Sequence, residues 1–152
     1  MDTVDRPAHR SAQRAMEILG ERWTILILHE AFWGVRRFSE FQRNLGIARN
    51  ILSARLQSLT AAGVLERSRY QDEPERFEYR LTPMGRDLYP AVIAIINWGD
   101  EHLAEDDRPP LVLRHTCGSD ADPRLVCSCC GEELDPRKVA PEPAPGSATR
   151  VA

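Results

Sequence analysis

A chain of 152 residues is long enough for one ordinary globular domain with its own core, plus small appendages. Its 42% hydrophobic and 28% charged residues match a soluble protein. No apolar run reaches the roughly 18–20 residues of a membrane span. The polar start MDTVDRPAHR lacks the apolar core of a signal peptide, so a cytoplasmic chain with no membrane partner is expected. The net charge of −3 is unevenly spread. Residues 9–82 carry 12 Arg against 9 Asp or Glu, a local balance of +3, whereas residues 100–152 carry 6 basic and 11 acidic residues. The acidity therefore sits in the tail, and the first half can meet a polyanion.

Residues 1–10 read as a flexible arm. Ser11 is a candidate cap for a helix over 12–19, with Ala15, Ile18 and Leu19 inward and Gly20 as its stop. A helix over 21–33 follows. It is apolar almost all round through Trp23, Ile25, Leu26, Ile27 and Leu28, as a buried central helix should be. After a short extended piece at 35–38, Ser39 is the expected cap of a third helix over 40–44, with Phe41 and Leu45 inward. A fourth helix is expected over 49–62, because Leu52, Leu56 and Leu59 recur at the spacing of one buried face and Gly63 can end it.

Val64 and Leu65 then lead a stretch to 69. A charged turn at 71–76 precedes Phe77, Tyr79 and Leu81, which alternate with Glu78 and Arg80. Two half-buried strands joined by a polar turn form a β-hairpin. The fold expected is mainly α with a small β-hairpin wing, a winged helix-turn-helix over 11–105. Thr82-Pro83 caps and opens a further helix reaching about Leu103, with Pro90 inside it marking a kink or restart. Its apolar stripe of Leu88, Val92, Ile95, Ile96, Gly99 and Leu103 has no obvious cover in a monomer, so it is assigned to a homodimer interface. Residues 106–114 read as a linker, 115–138 as a small Cys-rich hairpin segment, and 139–152 as a disordered tail rich in Pro and Ala.

With its Leu face buried, the fourth helix presents Asn50, Ser53, Ala54 and Gln57, with Arg49 at its entry. Asn and Gln bond adenine bidentately, Arg reads guanine, and small residues admit close approach to a major groove of double-stranded DNA. Arg36, Arg37 and Ser39 sit where phosphate contacts are made, and Arg67, Arg69 and Arg76 flank or occupy the wing.

Motifs along residues 12–99 resemble the HxlR family of winged-helix regulators, relatives of the MarR family. They are Leu19-Gly20-Glu21-Arg22-Trp23-Thr24, Arg37-Phe38-Ser39-Glu40-Phe41, and Ile47-Ala48-Arg49-Asn50-Ile51-Leu52-Ser53-Ala54-Arg55-Leu56. Further matches are Ala62-Gly63-Val64-Leu65-Glu66-Arg67, Glu78-Tyr79-Arg80-Leu81-Thr82-Pro83-Met84-Gly85 and Asn97-Trp98-Gly99. The resemblance implies a homodimer built from N- and C-terminal helices, an inverted-repeat operator, and a response to an aldehyde, oxidant or other toxic small molecule. Many members carry a Cys at the start of the first helix, used in some as a sensor. Ser11 stands here, and a hydroxyl forms neither a disulfide nor a reactive thiolate.

All four cysteines lie between Cys117 and Cys130. Cys127-x-x-Cys130-Gly131 resembles half of a zinc ribbon, and His115 and Cys117 complete a candidate set for structural zinc, with Cys129 able to replace either cysteine of that half. The same residues also admit a thiol switch or plain packing. A protein-interaction adaptor that uses a winged helix without reading DNA is the competing functional reading. An enzyme has little support: His9, His29, His102 and His115 are scattered, and no nucleophile–base or phosphate-loop pattern is present. Trp23, Phe32, Trp33 and Trp98 are candidates to line an effector pocket or simply to pack.

Overall fold

The structure is a computed structural model describing residues 7–103, 112–140 and 142. The chain divides into two units, Met1–Arg108 and Pro109–Ala152. In the first, the order is α1 (Pro7–Leu19), α2 (Arg22–Phe32), α3 (Phe38–Leu45), α4 (Arg49–Ala61), β1 (Leu65–Gln71), β2 (Arg76–Leu81), α5 (Pro83–Arg86) and α6 (Tyr89–His102). This is a mainly helical fold with a two-stranded antiparallel wing. Among the described residues no helix is long and apolar enough to cross a membrane.

The first helix starts earlier than the sequence suggests. Pro7 opens it, which places Ser11 inside α1 and makes residues 7–10 helical rather than part of an arm. The reason is local: proline at a first helical position brings a preset φ and loses no hydrogen bond. Residues 1–6, and the tail apart from 139, 140 and 142, lie outside the described residues.

The core forms around α2. Thr24, Ile27, Leu28 and Ala31 recur on one buried face, and α2 contacts α1, α3, α4 and α6. Phe41 from α3, Ile47, and Leu52, Leu56 and Leu59 from α4 complete the cluster with Val64, Leu65 and Val92. Each such side chain contributes roughly 1.5–3 kcal/mol by leaving water, so the Leu face of α4 fixes which of its residues face outward.

The cap of α3 also differs from expectation. Ser39 lies exposed in the first turn, and the helix opens at Phe38 with Arg37 in the cap position. The Glu40 carboxylate takes over capping, accepting the Arg37 N–H at 3.1 Å. A long acid in the first turn reaches back to the N–H of the cap residue, one half of a capping box. This hydrogen bond from Arg37, helped by the Arg36 amide and the charges of Arg37 and Arg43, holds the Glu40 carboxyl below its ordinary pKa, against partial desolvation.

The wing pairs Leu65 with Leu81, Arg67 with Tyr79 and Arg69 with Phe77, with an irregularity before Gln71 meets Arg76. The extended piece before α3 joins it: Tyr79 N–H donates to the Arg36 carbonyl at 2.8 Å, and Arg37 bridges Glu78. Thr82 caps α5 as expected, its Oγ1 accepting the Gly85 N–H at 3.0 Å. Pro90 sits in the first turn of α6, so the proline marks a restart after α5 rather than a kink.

Candidate nucleic-acid interface

The outward face of α4 carries Arg49, Asn50, Ser53, Ala54 and Gln57, all exposed and opposite the buried Leu52, Leu56 and Leu59. The face is a continuous strip of polar and small side chains on a rigidly seated helix, the shape that enters a major groove.

At the entry of α4 the strip meets an open concavity of about 550 Å³. Arg37, Phe38 and Ser39 from the start of α3, Arg49 from α4, and Arg67, Tyr70, Arg76, Phe77 and Tyr79 from the wing line it, with Glu75 as its single acid. The structure thus gathers five of the expected contact residues, Arg37, Ser39, Arg49, Arg67 and Arg76, in one basic hollow. Arg36 is exposed beside it, and its backbone is held by Tyr79.

Three of these arginines are held by rings rather than by acids. The Arg67 guanidinium lies 3.5 Å from the Phe77 ring centre, Arg37 lies 4.9 Å from that of Tyr70, and Arg49 lies 5.3 Å from that of Phe38. Among the described residues, none of Arg37, Arg49, Arg67 and Arg76 makes an ion pair with a carboxylate. Cation–π contact orients a guanidinium without neutralising it. The hollow therefore presents pre-positioned positive charge that no direct ion pair neutralises, which is what a phosphate backbone requires. The sequence reading missed the aromatic half of this arrangement; the interleaving of Phe38, Tyr70, Phe77 and Tyr79 with arginines was the available signal.

Arg69 stands apart. It pairs with Asp72 at 3.3 Å and with Glu75, so its charge is largely compensated at the tip of the wing.

The expected dimer stripe separates into two sets. Val92 is 1% exposed within the core of its own chain, and Leu88 and Ile96 are half-buried against that core. Val92 is covered in the monomer and Leu88 and Ile96 in part, because α6 packs on α2. Gly99 is half-buried, whereas Ile95 is 53% and Leu103 67% exposed. Trp98, absent from the expected stripe, is 56% exposed beside Ile95. Of the candidate effector-pocket aromatics, Trp23 and Phe32 are half-buried against the core and Trp33 is exposed, with its ring 4.1 Å from that of His29.

In the Pro109–Ala152 unit, Cys127 and Cys130 share one turn. The peptide N–H of Cys130, then that of Cys129, point at the Cys127 sulfur, and with the Cys130 side chain they lower the pKa of its thiol. His115 and Cys117 occupy a separate turn, where His115 Nδ1 accepts the Cys117 N–H at 3.3 Å. The four candidate ligands are not gathered around one point: among the described residues no three His, Cys, Asp or Glu side chains converge closely enough to hold a metal ion.

The HxlR-like helix-turn-helix family model matches residues 18–107. An uncharacterized HTH-type transcriptional regulator of Mycobacterium tuberculosis (strain H37Rv) is 54% identical over 152 residues, covering 99% of this chain and 96% of its own. The crystal structure of PA1607, a candidate transcription factor, superposes with a TM-score of 0.78 at 33% identity, over 92% of this chain and 96% of its own. The redox regulator HypR in its reduced form gives a TM-score of 0.55 at 31% identity, over 59% of this chain and 89% of its own. With the winged unit, its basic hollow and these relatives in agreement, the chain belongs to the HxlR-like helix-turn-helix family of transcription regulators.

Proposed function

We propose that this regulator binds operator DNA sequence-specifically as a homodimer, with α4 in the major groove and the wing arginines on phosphates. The observation that carries the reading is the set of ring-held, acid-free arginines at the entry of α4. Arg49, Asn50, Ser53, Ala54 and Gln57 face the bases, with Arg36, Arg37, Ser39, Arg67 and Arg76 on the backbone, and the two-fold symmetry of a dimer calls for an inverted repeat. Arg69 is the weakest of the expected contacts, because Asp72 and Glu75 already hold it.

The dimer reading rests on exposed apolar surface. Beyond Ile95, Trp98 and Leu103 on α6, Met16 on α1 is 56% exposed, and α1 buries no residue fully among its described positions. A helix that short is marginal without tertiary cover, and a second copy packing α1 and α6 supplies it. A small-molecule effector fits the family. Any thiol-based response runs through residues 117–130, since every cysteine lies there.

The test is binding of the full chain to its own upstream intergenic DNA at two salt concentrations, with Asn50→Ala and Arg49→Ala alongside. A two-fold footprint that weakens steeply with salt and collapses in both variants is expected. Equal, sequence-independent binding by all three proteins, or none, would favour an adaptor role instead.

A further inference from the structure

Three of the four cysteines sit at the tip of one hairpin, and the backbone there sets which of them meet. In the Pro109–Ala152 unit, Val126 bridges Glu133 and the Leu134 N–H reaches the Leu125 carbonyl at 3.0 Å. Inside that pair the Cys127 N–H donates to the Glu132 carbonyl, and the Gly131 N–H returns to the Cys127 carbonyl, both at 2.8 Å. Gly131, at φ 75°, takes the left-handed conformation that lets the chain turn back. The bond from Gly131 to Cys127 closes one helical-type turn. On such a turn residues three apart are side-chain neighbours, and those one or two apart are not. Cys127 is therefore matched with Cys130, and Cys129 lies off that pairing.

The side chains follow the backbone. The Cys130 thiol donates to the Cys127 sulfur, and the amides of Cys130 and Cys129 point at the same atom. The two sulfurs thus meet as the chain stands, with no displacement of the turn. The same amides favour Cys127 as a thiolate, the form that attacks a disulfide. Cys127 is half-buried and Cys130 exposed, so a small reagent reaches the pair from solvent. Cys117 belongs to a different hairpin, in which Arg114 bridges Asp120, and its N–H is held by His115 Nδ1 at 3.3 Å. The pair is also separate from the start of α1, where Ser11 stands.

We propose that Cys127 and Cys130 are a dithiol site that forms a reversible disulfide by exchange with small disulfides. The Cys127 thiolate attacks one sulfur of the small disulfide, RSSR, forming a mixed disulfide and expelling RS⁻, which takes up a proton. The Cys130 thiol, losing its proton to solvent, then attacks the Cys127 sulfur and expels the second RS⁻. Two protein thiols are oxidised to one disulfide, and one RSSR is reduced to two RSH. The loop so closed runs only from Cys127 to Cys130, and a loop that short removes little entropy from the unfolded chain. The bond is therefore no staple for the unit, and an exposed disulfide of this kind belongs to the labile, reactive class. The inference is independent of DNA recognition.

The experiment equilibrates the reduced full-length chain with mixtures of oxidised and reduced glutathione, quenches with an alkylating reagent, and reads whole-chain and peptide masses. The parent should lose two hydrogens and carry a Cys127–Cys130 bond at glutathione ratios that leave Cys117 free. Dithiothreitol should reverse it. Cys117→Ser and Cys129→Ser should keep the bond, and Cys127→Ser should lose it. Cys130→Ser should stop after the first step, with a single glutathione held on Cys127. The thermal transition of each variant shows that the chain is folded. A folded parent whose four thiols take up glutathione alike, with no internal bond, overturns the proposal. A bond to Cys117, or one from Cys129 that survives in Cys127→Ser, overturns it as well.

Discussion

The hydroxyl of Thr82 donates to the carbonyl of Gly63 at 2.6 Å, tying the start of α5 to the residue that follows the end of α4. The same oxygen accepts the Gly85 N–H, and Thr82 N–H donates to the Val64 carbonyl at 3.1 Å. One residue thus closes the loop formed by β1 and β2 and sets the wing against α4. Thr82→Val keeps the shape and removes the hydroxyl. It should lower unfolding stability by about 1–2 kcal/mol, the scale of a lost cap and a lost side-chain hydrogen bond. Urea denaturation followed by tryptophan fluorescence reads this, and an unchanged midpoint would show that water substitutes for the hydroxyl.

Among the described glycines, Gly85 leaves the least room for a side chain. A Cβ there would lie 2.1 Å from the Val64 carbonyl oxygen and 3.2 Å from Leu81 Cδ2. Neither backbone is free to retreat, because Val64 is buried and its carbonyl is engaged by Thr82. Gly85→Ala should therefore destabilise by about 1–3 kcal/mol or more, the usual cost of overpacking, despite the better helix propensity of alanine. A thermal shift at or above the parent midpoint would contradict the close approach.

The ring-held arginines separate two effects that are usually confounded. Arg67→Ala removes a charge, so the slope of log K against log salt should fall by about 0.9 for one lost phosphate contact. Phe77→Leu keeps the charge and removes the ring beneath it. Affinity should fall several-fold, by the roughly 0.5–1 kcal/mol of an exposed cation–π contact, with the slope unchanged. Arg69→Ala should change both little. Fluorescence anisotropy across a salt series distinguishes the three, and a slope change in Phe77→Leu would show that the ring does more than orient.

Glu40 makes the entry of α3 sensitive to acid. Its carboxyl titrates below the ordinary value of 4.5, chiefly because the Arg37 amide bonds the charged form. A group whose folded pKa is depressed stabilises the fold above its unfolded pKa and loses that contribution as pH falls through the folded value. The stability difference between the parent and Glu40→Gln should be constant from neutral pH down to about 5, then shrink below about 4.5. A difference that grows on acidification would reverse the sign and remove Glu40 as the cap.

Neighbouring positions on α6 should respond in opposite ways. Ile95→Asp places a charge on exposed surface and should convert a dimer to a folded monomer, seen by light scattering alongside unchanged circular dichroism. Val92→Asp buries an uncompensated carboxylate in the core and should unfold the domain. Dimers persisting in Ile95→Asp would remove this face of α6 from the interface.

Most of the winged unit was legible because its signals are local. Leu52, Leu56 and Leu59 mark one face of a helix, Phe77, Tyr79 and Leu81 alternate as a strand must, and Thr82-Pro83 announces a helix start. The errors arose where two residues compete for one role. Ser39 is the better cap by type, but the helix opens one residue before it, and Glu40 reaches back to the Arg37 N–H from inside the first turn. Ser11 looks like a start, yet Pro7 opens the helix earlier. Along α6, core and exposed positions are both aliphatic, so only the packing of α2 separates Val92 from Ile95. The stacking of Arg37 on Tyr70 joins distant segments and leaves no periodic trace. The pairing of Arg69 with Asp72 was readable from spacing across the turn.

The central position of α2 has a consequence for operator choice. It touches both α4 and α6, so the helix proposed to enter the major groove and the proposed dimer helix are joined through one buried helix. Half-site separation, about 34–36 Å for helices entering successive major grooves, is then an angular property of buried residues such as Ile27 and Leu28 rather than of any side chain that meets DNA. Repacking α2 would leave the preferred bases intact and change the number of base pairs tolerated between half-sites. Grammar and vocabulary of the operator would be encoded in different layers of the same domain.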